Sequence, residues 1–184
     1  MILTDREIQI FLANGQISIK PEPDSSLYSS TSVDLSLAKE FLVWDFDQID
    51  KTRGEIIEPG PKFKYAEFRD KYTKKKILTE KGYVLSPGSF VLAWTHETVD
   101  LPNNSRIAAR VEGKSSLARL GLAIHVTAPT IHAGFEGAIQ LELCNHGLFS
   151  IRLTPSMPIC QLIFEMTLGT PEKGYSGKFL KQKR

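Results

Sequence analysis

The chain has 184 residues, of which 41% are hydrophobic and 24% charged, with a formal net charge of +2 at pH 7. This suits a single globular domain (1–184) with a buried core. The near-balanced charge excludes bulk electrostatic attraction to nucleic acid or an anionic membrane, so any anion site must be local.

The opening Met1-Ile2-Leu3-Thr4-Asp5-Arg6-Glu7-Ile8 has no basic stretch followed by an apolar one, and no apolar run is long enough to span a bilayer. A cytoplasmic address is expected. Thr4 followed three residues on by Glu7 reads as a capping box, and Ile8, Phe11 and Leu12 give a helical apolar face. From Ser32 the period changes: Val33, Leu35 and Leu37 alternate with Asp34 and Ser36, as on a strand. The stretch from about 45 to 81 is rich in charge, contains Pro59-Gly60-Pro61 and has too few apolar residues for its own core. It reads as an irregular excursion or lid. Two strands are expected about Pro87-Gly88, between Tyr83 and Trp94, and another over Ile107–Val111. The predicted fold is mostly β with one or two short helices.

Two segments carry chemistry. In Gly113-Lys114-Ser115-Ser116-Leu117-Ala118-Arg119-Leu120-Gly121 a glycine turn would lead into a short helix that stops at Gly121. Its N-terminal N–H groups, Lys114 and the serine hydroxyls could cradle phosphate, with Ser115 and Arg119 on one helix face. Alternatively, Ser115 is a helix cap and Arg119 a solvated charge. The run is not the Walker pattern. In Ala138-Ile139-Gln140-Leu141-Glu142-Leu143 strand alternation sets Gln140 and Glu142 side by side, opposite Ile139, Leu141 and Leu143. Partial burial would raise the Glu142 pKa and suit it to shuttling protons; the alternative is a solvated sheet face.

The H-x-E and P-C-x-x-C patterns of zinc-dependent base deaminases do not occur in the sequence, which argues against a catalytic zinc. The only cysteines, Cys144 and Cys160, sit among apolar neighbours as buried structural thiols do. Lys173, Lys178, Lys181, Lys183 and Arg184 make a short basic tail with little aromatic interleaving, a poor nucleic-acid signature.

The runs Gly113–Leu122, His125-Val126-Thr127-Ala128, Gly134-Phe135-Glu136-Gly137 and Leu141-Glu142-Leu143 together resemble dCTP deaminases, of the trimeric dUTPase-like superfamily. The resemblance extends to Met1–Ile8, Ser32–Leu35 and Gly177-Lys178-Phe179 with Gln182. It implies a distorted β-barrel or jelly-roll-like fold, a homotrimer with sites between subunits, and zinc-independent hydrolysis of dCTP, complexed with Mg2+, to dUTP and ammonia. It also implies roles. Glu142 is the proton shuttle, Ser115 and Arg119 hold the water and orient the base, and the Ala128 carbonyl accepts from that water. Lys114 and Ser116 bind phosphate, with Leu117, Ala118, His132, Gln140 and Leu141 also around the nucleotide. Tyr175, Lys178 and Gln182 lie on an arm, at about 171–184, that closes over the triphosphate. Feedback by dTTP is a family property.

His132 stands where relatives carry an aspartate, which disfavours dUTP hydrolysis. The competing readings are a bifunctional dCTP deaminase–dUTP diphosphatase or plain dUTPase, and a trimeric nucleotide-binding sensor without catalysis.

Overall fold

The computed structural model describes residues 1–52 and 56–174. In chain order the elements are α1 (Asp5–Ala13), β1 (Ser18–Lys20), β2 (Tyr28–Ser29), β3 (Ser32–Trp44), α2 (Phe46–Asp50), α3 (Tyr65–Tyr72), β4 (Thr73–Ile77), β5 (Tyr83–Leu85), β6 (Phe90–Asp100), β7 (Ile107–Gly113), α4 (Ser115–Ala118), β8 (Leu122–Ala123), β9 (Thr130–Ile131), β10 (Glu136–Asn145), β11 (Ile151–Leu153) and β12 (Pro158–Met166).

Ten strands form one antiparallel sheet along the path β8-β10-β6-β3-β12-β7-β9, with β1 added on β6 and β2 and β4 on β3. The sheet curls around a core that includes Val33, Leu35 and Leu37 of β3, Val91 and Ala93 of β6, Leu141 and Leu143 of β10, and Leu162 and Phe164 of β12. α1 forms as its capping pattern predicts: the Glu7 carboxylate accepts from the Thr4 N–H at 3.2 Å, and Ile8 is fully buried. β5 and β6 both form about Pro87-Gly88, yet they are not a hairpin, because β5 pairs with β11.

The sheet's two edges are joined through six residues. β8 ends on β10, β9 lies on β7, and residues 124–129 run between them. This connector is bonded on both sides, Glu142 N–H to the Ile124 carbonyl at 3.1 Å and Val111 N–H to the Pro129 carbonyl at 2.9 Å.

The charged stretch 45–81 differs from the irregular excursion expected of it. It holds α2 and α3 and returns as β4, which pairs with β3 from Glu40↔Ile77 to Trp44↔Thr73. Its neck is closed by Lys74 Nζ on Asp45 Oδ1 at 2.8 Å and by Asp45 N–H on the Tyr72 carbonyl at 2.9 Å. No second core is needed, because α3 docks on the outer face of the sheet through aromatic rings. Phe68 lies 6.3 Å from Trp44 and 4.8 Å from Tyr72 between ring centroids, and Trp44 stacks on Phe90 at 6.1 Å. None of the helices in the described residues is long and apolar enough to cross a membrane.

Candidate active site

Strand alternation places Glu142 on the outer face of β10. Leu141 and Leu143 are fully buried in the core, while Gln140 and Glu142 face the other way beside Trp94 and Leu92 of β6. A cavity of about 540 Å³ opens there. The sheet contributes Glu142, Gln140, Leu92 and Phe90, the connector His125 and Ala128, the following turn His132 and Phe135, and α3 Tyr65.

Its walls are chiefly apolar and aromatic, and this sets the electrostatics. Burial pushes the Glu142 carboxyl above its ordinary range; the Val126 N–H, donating to Oε2 at 3.3 Å, and the nearby His125 pull it partly back. Burial also raises the Tyr65 phenol, with Glu142 and Asp70 adding to the rise and Arg69 opposing it. A carboxyl raised by burial and held by a backbone N–H is suited to take a proton and return it, as a general base and acid must.

Of the residues predicted for the site, the fold brings Glu142, Gln140, Ala128 and His132 together around this cavity. Leu141 does not join them; its side chain is fully buried on the core face. The 113–121 run is elsewhere in the protomer. Gly113 is the last residue of β7 rather than a turn, and α4 is a single turn whose N-cap is Lys114. Ser115 is therefore inside the helix, not capping it, and one turn is too short for a substantial end charge. Ser115, Ser116, Ala118 and Arg119 are exposed, Leu117 packs against the core, and none of them lines the cavity. Lys114 forms an ion pair with Asp34 of β3 and is largely covered. The expected stop at Gly121 is present: φ is +92°, and a Cβ there would lie 2.3 Å from the Gly147 nitrogen. Tyr175, Lys178 and Gln182 lie outside the described residues.

Sequence reasoning missed Trp44, Tyr65, Phe90 and His125 as cavity residues. His125 stood within the motif that supplied Ala128; Tyr65 lies in a charged stretch with no pattern pointing to a site. Both cysteines are free; Cys160 is buried as its apolar neighbours predict, and burial holds its thiol far up, whereas Cys144 is only partly buried, because strand alternation turns it to the outer face of β10.

The comparisons agree with this geometry. The family model described as dCTP deaminase-like matches residues 2–167. A dCTP deaminase of Alteromonas mediterranea is 40% identical over 180 residues, covering 97% of this chain and 88% of that protein. A dUMP-forming dCTP deaminase of Sulfurihydrogenibium sp. is 40% identical over 187 residues, covering 100% and 93%. The crystal structure of 2'-deoxycytidine 5'-triphosphate deaminase from Agrobacterium tumefaciens shares the fold, with a TM-score of 0.67 at 23% identity over 90% of this chain and 48% of that one. The protein belongs to the dCTP deaminase-like family.

Proposed function

We propose that the protein hydrolyses dCTP to dUTP and ammonia, with Glu142 as the proton shuttle. The carrying observation is a half-buried strand carboxyl, raised by burial yet steadied by a backbone N–H, in an apolar cavity of about 540 Å³. Relatives named for this reaction at 40% identity over almost the whole chain support the assignment.

In this mechanism the ionised Glu142 takes a proton from water as the water oxygen bonds to C4 of cytosine. The proton passes to N3, and a second transfer through the same carboxyl leads to cleavage of the C4–N bond, so that ammonia departs and uracil remains. Ala128, which lines the same cavity, would offer a backbone carbonyl to the water, and Gln140 an amide beside the base. His132 offers a ring nitrogen to the sugar. Phe135 and Ile139 exclude bulk solvent, which strengthens each polar interaction inside.

Ser115 on α4 and Arg119 at its C-terminal end stand exposed, outside the cavity of their own protomer. A second copy presenting α4 to Glu142 would bring water-holding and base-orienting groups to it, which supports a homotrimer with sites between subunits. Lys114 and Ser116 would meet the phosphates there, Lys114 exchanging its ion pair with Asp34 for them; Leu117 and Ala118 would supply backbone contacts. Tyr175, Lys178 and Gln182 would close over the triphosphate. Among the described residues no group of three or more His, Cys, Asp or Glu side chains is placed to hold a metal ion. Mg2+ carried by the nucleotide would be held by phosphate oxygens and water, where it would offset the phosphate charge. A pyrimidine triphosphate such as dTTP fits the same subsites and would compete for them. The dUTP produced would be a source of dUMP.

The test is incubation of the protein with dCTP and Mg2+, with nucleotides resolved by ion exchange and ammonia assayed in parallel. Equal dUTP and ammonia supports the proposal; dUMP and pyrophosphate would show that the protein is dUMP-forming like the Sulfurihydrogenibium relative. Nucleotide binding without turnover would leave a sensor.

A further inference from the structure

The connector holds Glu142 by two bonds. The Glu142 N–H donates to the Ile124 carbonyl at 3.1 Å, and the Val126 N–H donates to Glu142 Oε2 at 3.3 Å. His125 sits between these anchors and lines the cavity. Its Nε2 lies 3.8 Å from Glu112 Oε2 of β7, and its Nδ1 is buried with no hydrogen-bond partner among the described residues. Glu112 is itself held. Its Oε1 is 3.3 Å from Arg110 Nη1, and the Arg110 Nε donates to Glu165 of β12 at 2.9 Å. A line of charged groups thus runs from β12 through β7 to the connector and ends at the Glu142 carboxylate on β10.

We propose that His125, oriented by Glu112, is a positioning residue for Glu142: the anchored ring keeps the Val126 N–H on the carboxylate and turns Nδ1 to accept a hydrogen bond from the occupant of the cavity. The inference rests on the deaminase reading for what that occupant is, a water or the amino group of the base. A carboxylate facing Nε2 favours the tautomer with its proton there, which leaves Nδ1 as an acceptor. A buried acceptor left without a donor is unfavourable, and a ligand's N–H or O–H relieves that. The charged and titratable groups around the ring are Glu112 with Arg110 and Glu165 behind it, Glu142 from β10, Tyr65 from α3, and His132 from the turn after β9.

The sign of the effect follows. The Val126 N–H, donating to Oε2, favours ionised Glu142. Loss of the anchor should raise the carboxyl's proton affinity, so the acid limb of the activity profile moves to higher pH. With wild-type dCTP turnover measured first, His125→Ala should lower kcat at neutral pH by about tenfold or more while KM stays within about threefold. Glu112→Gln, which keeps the ring, should shift the limb in the same direction by less, and it carries the test if His125→Ala does not fold. Carbon-13 NMR of labelled glutamates, with Glu142 assigned by Glu142→Gln, reads the carboxyl titration without turnover. A folded variant whose Glu142 titration and acid limb match wild type overturns the inference, as does a change in KM alone. If wild type does not turn over dCTP but the NMR titration still moves, the deaminase reading fails and the positioning pair stands.

Discussion

Replacing Glu142 with Gln keeps the shape of the side chain and an acceptor for the Val126 N–H, but removes the group proposed to take and return a proton. General acid–base catalysis contributes about 10²–10⁴ in rate, roughly 3–5 kcal/mol of transition-state stabilisation. With one carboxyl proposed to serve both transfers, the loss should lie at or beyond the upper end, with nucleotide affinity largely kept. Stability should move the other way. The folded-state pKa of Glu142 is raised by burial, so between its ordinary value and that raised value the folded protein binds more protons than the unfolded chain. Wild-type stability therefore falls as pH rises through that window, and the neutral Gln variant escapes this loss. Its melting temperature should exceed wild type at pH 8 and converge on it below the ordinary carboxyl range. Ammonia release under single-turnover conditions, equilibrium binding of dCTP, and melting curves from pH 4 to 8 give the three readouts. Retention of more than about a hundredth of the activity, or equal loss of binding and turnover, would rule out Glu142 as the proton shuttle.

Four further outcomes are expected. Mixing Glu142→Gln with Arg119→Ala subunits, each inactive alone, should restore about a quarter of the wild-type activity if each site draws Glu142 from one copy and Arg119 from its neighbour; no recovery in verified mixed trimers would place both residues in one protomer's site. Tyr65→Ala opens the α3 wall to water, so the burial that raises Glu142 is relieved and the acid limb of the kcat profile should move to lower pH, opposite to His125→Ala; a shift upward or none would contradict the assignment. Leu141→Ala removes a fully buried core side chain and should cost about 2–5 kcal/mol in urea unfolding, a loss of stability that precedes any loss of substrate affinity. Gly121→Ala places a Cβ 2.3 Å from the Gly147 nitrogen at a φ of +92° and should destabilise by more than about 1 kcal/mol in the same assay.

What could be read in advance follows from which forces are local. The capping box of α1 and the alternation through β10 are decided by neighbours in sequence, so α1 and the outward direction of Glu142 were legible from residue order. β4 was not. Its Thr73-Lys74-Lys75-Lys76-Ile77 looks like a solvated charge run, yet an edge strand paired only with β3 tolerates lysines on its open side. α3 was hidden for a related reason: few apolar residues are needed when Phe68 and its aromatic neighbours do the docking, and its charged positions mask the period. With α3 unseen, Tyr65 could not be placed opposite Glu142. Gly113 resembles a turn residue in sequence because glycine ends many strands, whereas pairing with Cys160 carries β7 through it. The separation of Ser115 and Arg119 from the cavity is a property of one protomer, and local pattern carries no information about contacts between copies.

Addition of water to C4 of the cytosine ring of dCTP is read most directly from turnover in oxygen-18 water with mass spectrometry of the products. One heavy oxygen is expected in the uracil ring of dUTP, none in its phosphates, and one ammonia per dUTP. Heavy oxygen confined to a released phosphate product, with the base still cytosine, would contradict it.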